Sequence, residues 1–395
     1  MYDFTTTIDR KLLGSSKWQG MRDLNPNVPD GIVPFSVADM ELREPPEIID
    51  GLKDYLDNVV LGYAVATPEY DAAVCGWMKR RHGWDIEPDW IVECSGVVPA
   101  LFTAVSAFTA PGDGVILLTP VYYPFFMAVE KNGRTVVTSD MVVRDGRYCI
   151  DFADLEKKAA DPKNKLLIFC NPHNPVGRVW ERDEIERLGI ICMQNGVQVV
   201  SDEIHFDLMM PGKKHVVYST ISPEFADNAI VCTAPSKTFN LAGMQTSNII
   251  IQNHDLRRRF CHELGKTGFF SCNVLGYKAC EIAYTRCEPW LDELLVLLDT
   301  NRRLVEDFMK TRIPKIVVYP LEGTYLQWWD CRALGLDHKA LESFMVNDAL
   351  LFLDEGYIFG TAGQGFERIN LACPTATLAA ALERLHGALK KKGIV

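Results

Sequence analysis

LLIFCNPHNPVG, residues 166–177, is a short apolar run that stops abruptly in two Asn-Pro steps. A continuous run such as Leu166–Cys170, without polar alternation, suits a strand buried on both faces of a parallel sheet. The steps Asn171-Pro172 and Asn174-Pro175 enforce an extended-then-turn path and aim their side chains rigidly. Further along the chain the same arrangement recurs twice. Val197–Val200 leads to Asp202, and Ile230–Thr233 leads to Lys237. An amide, a carboxylate and an amine therefore follow successive strands, where open α/β sheets bind their ligands.

Strand-like and helix-like segments alternate from about 46 to 285. Strands are expected at 114–118, 166–170, 197–201, 229–233 and 248–252. Helices are expected from Pro99 to Ala110, ended by Pro111-Gly112, and from Glu181 to Asn195, closed by Gly196. Such alternation implies an α/β fold with a mostly parallel sheet covered by helices. The remainder differs. Glu288–Thr311 has a helical period with Leu291, Leu294, Leu295 and Leu298 on one face, Ile316–Tyr319 and Tyr325–Trp329 read as strands, and Leu378, Ala381, Leu382, Leu385 and Leu389 stripe a last helix. The expected division is an extended, turn-rich arm at 1–45, a large domain at 46–285 and a smaller α+β domain at 286–395.

Composition excludes several classes. The 395 residues are 48% hydrophobic, enough for a large core. A net charge of -11 and no basic cluster argue against a nucleic-acid surface. The twelve cysteines include no C-x-x-C pair, and the eight histidines no H-x-x-x-H pair, so no metal site is expected. No apolar run reaches membrane-spanning length. Asp3, Asp9, Arg10 and Lys11 interrupt any leader-like stretch, and many cysteines without an export signal suggest a reducing cytoplasm.

Lysine, carboxylate and amide together match the needs of pyridoxal phosphate: an amine to bond the aldehyde, an anion to keep the ring nitrogen protonated, and a donor to the ring oxygen. Each has a plainer reading. Lys237 in APSKTFN (234–240) suits a solvated surface, Asp202 in DEIH (202–205) an N-cap, and Asn174 a turn. Ser95, Gly96, Val97 and Val98 precede a helix whose free N–H groups suit a phosphate, though many helices begin this way. Tyr122 follows the strand at 114–118 and suits either ring stacking or core packing. Arg368, in GQGFERIN (363–370), suits a carboxylate clamp or a surface salt bridge. Tyr123, Phe125, Trp328 and Trp329 are candidates for the substrate wall or for the core.

The ordered set NPHNPVG, DEIH, SKTFN and GQGFERIN resembles fold-type I pyridoxal-phosphate enzymes of the class I/II aminotransferase superfamily. Within them it is most similar to the MalY/PatB-type cystathionine β-lyases, from Val37-Ala38-Asp39-Met40 to the last helix. The resemblance implies an aspartate aminotransferase-like fold with a seven-stranded sheet. It implies Lys237 as the Schiff-base lysine and general base, Asp202 as partner of the ring nitrogen, Asn174 as donor to the ring oxygen and Tyr122 as the stacking ring. It implies Gly96, Val97 and Ser236 at the phosphate, His205 beside the cofactor and Arg368 on the substrate carboxylate. It also implies a homodimer in which Tyr63 reaches the neighbouring site.

Two positions depart from the aminotransferase pattern: His205 stands where a tyrosine is usual, and Gln245 where an arginine is usual. Both departures are usual among the β-lyases, so elimination of a thiol from cystathionine or another cysteine S-conjugate is the expected reaction. The rivals are transamination on the same lysine and a regulatory binding protein that retains the cofactor site.

Overall fold

The computed structural model describes residues 2–395. Its central sheet has seven strands: β1 (Ile91–Cys94), β2 (Gly114–Thr119), β3 (Thr135–Asp140), β4 (Asn164–Cys170), β5 (Gln198–Asp202), β6 (Ala229–Thr233) and β7 (Ser247–Ile250). Their order is β1-β7-β6-β5-β4-β2-β3. Only β7 opposes the others; it pairs antiparallel with both β1 and β6, and the remaining pairs are parallel. Strands β2, β6 and β7 are buried along their whole length, as expected of a sheet covered on both faces. The mostly parallel sheet read from the apolar runs is thus present. The runs did not reveal β1 or β3, whose residues are more polar.

The expected helix at Pro99 begins two residues earlier, at Val97, and ends at Phe108. Pro99 sits in its first turn, where a missing N–H leaves no hydrogen bond unmade. The helix at Arg182–Gln194 carries a reciprocal capping pair between Glu181 and Glu184.

A second sheet has four strands, β8 (Val317–Val318), β9 (Leu326–Asp330), β10 (Asp354–Glu355) and β11 (Phe366–Asn370), in the order β8-β9-β11-β10 and wholly antiparallel. The 25-residue helix Glu288–Arg312 precedes it, and Thr375–Lys391 follows it. The N-terminal arm is bonded to this sheet. Phe35 N–H donates to Phe352 O at 2.8 Å, and Phe35 O accepts from Asn370 N–H at 2.9 Å.

The arm is not wholly extended, because Ser16–Leu24 is a helix. Ser15 caps it, accepting from Trp18 N–H, and Lys17, Trp18 and Met21 are its buried residues. With so few apolar positions and Gly20 inside it, periodicity gives little sign of this helix. Lys17, 2% exposed, lies against Asp39 and Glu41, and Arg10 bridges the same two carboxylates, so a paired charge network ties the helix to the rest of the arm. Among the described residues no helix is long and apolar enough to cross a membrane, no acidic, histidine and cysteine cluster fits a metal ion, and the twelve cysteines are all free.

Candidate active site

Strands β4, β5 and β6 are neighbours, and their register places Cys170 opposite Asp202 and Asp202 opposite Cys232. The turns leaving β4 and β6 therefore flank the end of β5. This delivers Asn174, Asp202 and Lys237 to one cavity of about 190 Å³. Ser95, Gly96, Val97, Tyr122, His205, Ser236, Gln245 and Thr246 also line it.

Lys237 lies in the single turn Pro235–Thr238, and its Nζ donates to Ala38 O at 2.6 Å. Lys237 is half-buried and lines the cavity. Burial accordingly pulls its pKa down to about 8, with nearby Arg368 and Lys17 adding to the effect and Asp39 and Asp202 opposing it. The surface reading of this lysine fails.

Asp202 is 4% exposed, and burial pushes its carboxyl up to about 7 despite the Ile204 N–H it accepts at 3.1 Å and the nearby Lys237 charge. Among the described residues no cation is bonded to this deep carboxyl group. His205 lies beside it, 3% exposed and held neutral by burial and by the charges of Lys237 and Arg368. Its Nδ1 has no partner among the described residues.

Gly96 caps the helix Val97–Phe108 at φ 145° and ψ 161°. That conformation is essentially restricted to glycine, and it leaves the first-turn N–H groups facing the cavity end of the helix. Tyr122 is on the cavity wall rather than in the core, and burial raises its phenol so that it stays protonated at neutral pH.

Arg368 is not a surface salt bridge. It is 2% exposed, its Nη1 donates to Asn174 Oδ1 at 2.9 Å, its Nη2 pairs with Asp354 Oδ2, and the Phe359 ring lies 4.9 Å from its guanidinium carbon. It stands behind the wall and reaches the cavity through Asn174.

Other candidates lie elsewhere. Tyr63 is fully exposed, in the irregular stretch 59–67, and is not on this wall. Phe125, Trp328 and Trp329 are core residues, between 0% and 1% exposed, while Tyr123 is 38% exposed beside Phe359. Sequence reasoning missed Ala38, Tyr325 and Asp354. The Ala38 carbonyl accepts both Lys237 Nζ and, at 2.9 Å, Tyr325 Oη. A backbone acceptor leaves no trace in residue type, and only the short motif Val37–Met40 hinted at its place.

The same framework occurs in known proteins. Cystathionine β-lyase PatB of Bacillus subtilis is 44% identical over 375 residues, covering 95% of this chain and 96% of the relative. Protein MalY of Escherichia coli is 32% identical over 393 residues, 99% of each chain. The crystal structure of cystalysin from Treponema denticola, which contains a pyridoxal 5'-phosphate cofactor, superposes with a TM-score of 0.98 at 54% identity, covering 99% of this chain and all of that one. The family model for aminotransferase class I and II matches residues 31–385, and the chain belongs to that family.

Proposed function

We propose that the protein is a pyridoxal-phosphate-dependent carbon–sulfur β-lyase that eliminates a thiol from cystathionine or a related cysteine S-conjugate, the remaining three-carbon fragment being hydrolysed by one water to pyruvate and ammonia. The observation that carries this reading is the meeting of Asn174, Asp202 and Lys237 at one cavity with Arg368 behind it. Relatives named cystathionine β-lyase over almost their full length favour elimination over transamination.

The residues present fit the cofactor. Lys237 supplies an amine of depressed pKa, Asp202 a buried anion for the ring nitrogen and Asn174 a polar group for the ring oxygen. Gly96, Val97 and Ser236 offer backbone and hydroxyl donors for a phosphate, with Gln245 contributing no charge, and Tyr122 and His205, on the same cavity wall, would flank the ring. When bound, the cofactor supplies an aldehyde for covalent capture of the substrate amine and a ring that withdraws electrons from the α-carbon.

Arg368, steadied by Asn174, holds the substrate carboxylate and so fixes which α-bond faces Lys237. The free amine of Lys237 takes the α-proton as general base. Asp202, as an anion, would hold the ring nitrogen protonated. Tyr122, protonated, stands ready to donate to the departing sulfur, as does the ammonium form of Lys237.

The proposal extends to assembly and place. The stretch around Tyr63 exposes Val60 (88%), Leu61, Tyr63 and Val65 (74%), apolar surface that suits a homodimer in which Tyr63 serves the neighbouring site. Residues 46–285 form the large domain, 286–395 the small one, and 1–45 an arm packed on the latter. The free cysteines suit a reducing cytoplasm.

Cystathionine supplied without any keto acid tests the reaction. Continuous pyruvate release is expected, and a single stoichiometric turnover would instead identify a transaminase. Lys237→Ala is expected to lose both pyruvate release and the absorbance of the lysine-bound cofactor; retention of both removes Lys237 from the mechanism.

A further inference from the structure

Asp354 and Arg368 are register partners across β10 and β11, so their side chains leave the same face of the small sheet side by side. The pairing is buried, and it is shared. Asp354 Oδ2 accepts Arg368 Nη2 and also, at 2.9 Å, the backbone N–H of Val37.

Val37 has φ 51°, a left-handed conformation unusual for a β-branched residue, so its orientation depends on what grips it. Asp354 holds its N–H, and Asn370 Nδ2 holds its carbonyl at 2.8 Å. The next carbonyl, of Ala38, accepts Lys237. One carboxylate oxygen thus connects the guanidinium to the strap that meets the lysine.

The guanidinium is held on three sides, by Asn174, Asp354 and the Phe359 ring. Its Nε has no partner among the described residues although the side chain is 2% exposed. A buried cationic donor left unmatched is open to a ligand anion that completes its shell.

We propose that Asp354 is a positioning residue for substrate recognition: by anchoring Arg368 Nη2 and Val37 N–H on one oxygen, it aims the remaining guanidinium donors at the substrate carboxylate. The inference rests on the reading of Arg368 as the carboxylate clamp. Asp354 acts through Arg368 and touches no reacting atom. It contributes geometry, so an uncharged side chain of the same shape serves in its place.

Calorimetric binding of glycine and of glycinamide to the cofactor-loaded enzyme tests this, because the two probes differ only where the carboxylate stands. The readout is the preference for glycine over glycinamide at one pH, which a general loss of stability does not alter. Arg368→Ala is expected to abolish the preference; if it does not, the clamp reading itself fails. With that control in hand, Asp354→Ala should cut the preference about tenfold, whereas Asp354→Asn, which keeps an acceptor oxygen, should stay within about twofold of the native value. An unchanged preference in Asp354→Ala, or equal losses in the alanine and asparagine variants, overturns the proposal. Should the alanine variant fail to fold, Asp354→Glu displaces the oxygen by one methylene and keeps the charge. It should then lose the preference, and a native preference there overturns the aiming role.

Discussion

Lys237 and Asp202 bring opposite costs into the same cavity. The lysine's pKa falls to about 8 and the aspartate's rises to about 7, in both cases chiefly because burial disfavours charge. The sign of each effect on stability follows from linkage. A carboxylate whose folded pKa exceeds its unfolded value costs nothing below about pH 4, costs more as pH rises, and costs its full amount above about pH 7. The depressed lysine costs most below about pH 8 and stops costing as pH climbs toward its unfolded value. In cofactor-free protein, Asp202→Asn is therefore expected to be more stable than the native chain at pH 8, by on the order of 4 kcal/mol, and to melt at a higher temperature. The difference should shrink toward zero as pH approaches 4. The same variant should lose about a hundredfold in pyruvate release, because an amide cannot hold a ring nitrogen protonated. Thermal melts across pH and a lyase assay check the two halves separately. A native-like or lower melting point at pH 8 would mean that Asp202 is already neutralised without the cofactor.

At the scale of elements, the site is a set of chain turns given direction by strands and one helix. Gly96 shows the dependence most sharply. Its φ of 145° is in a region that a Cβ strains, although an added methyl would meet only the Pro99 ring, at 3.5 Å from Cδ and 4.0 Å from Cγ. Gly96→Ala should thus fold, yet rotate the first-turn N–H groups of Val97–Phe108 away from their target. We expect cofactor affinity to fall about tenfold or more, on the order of the 1–3 kcal/mol that such backbone strain costs. Equilibrium binding of pyridoxal phosphate, followed by absorbance, measures it. An unchanged affinity would detach this helix end from the phosphate. The elements also show what a sequence reveals. Asn174, Asp202 and Lys237 were legible because each directly follows an apolar run, and strand position is local information. Asp354 was not, since its meaning comes from lying opposite Arg368 in an antiparallel pair formed after folding. The arm helix Ser16–Leu24 escaped because its mostly polar surface mutes the period that betrays longer helices.

For the whole molecule, the cavity lies where three parts of the chain converge. The large sheet provides the strand ends, the arm provides the Ala38 carbonyl, and the small sheet provides Arg368 and Asn370, whose Nδ2 donates to Val37 O and to Asp39 O at 2.8 and 2.7 Å. The stretch bearing Tyr63 is outside this convergence, exposed with its apolar neighbours, and a second copy of the chain is the partner proposed for it. Subunit mixing gives that proposal a sharp test. Lys237→Ala subunits lack the amine but carry Tyr63, and Tyr63→Ala subunits lack the phenol but carry Lys237. If the phenol crosses to the neighbouring site, a mixed dimer has one site with both lesions and one site with neither. Equal mixing after dissociation and reassociation should then restore about a quarter of native pyruvate release, as half the dimers are mixed and each has one whole site. If Tyr63 serves its own subunit, or no stable dimer forms, the mixture should show only the average of the two variants measured alone. Light scattering on the same samples separates those two failures, because only the second leaves a monomer in solution.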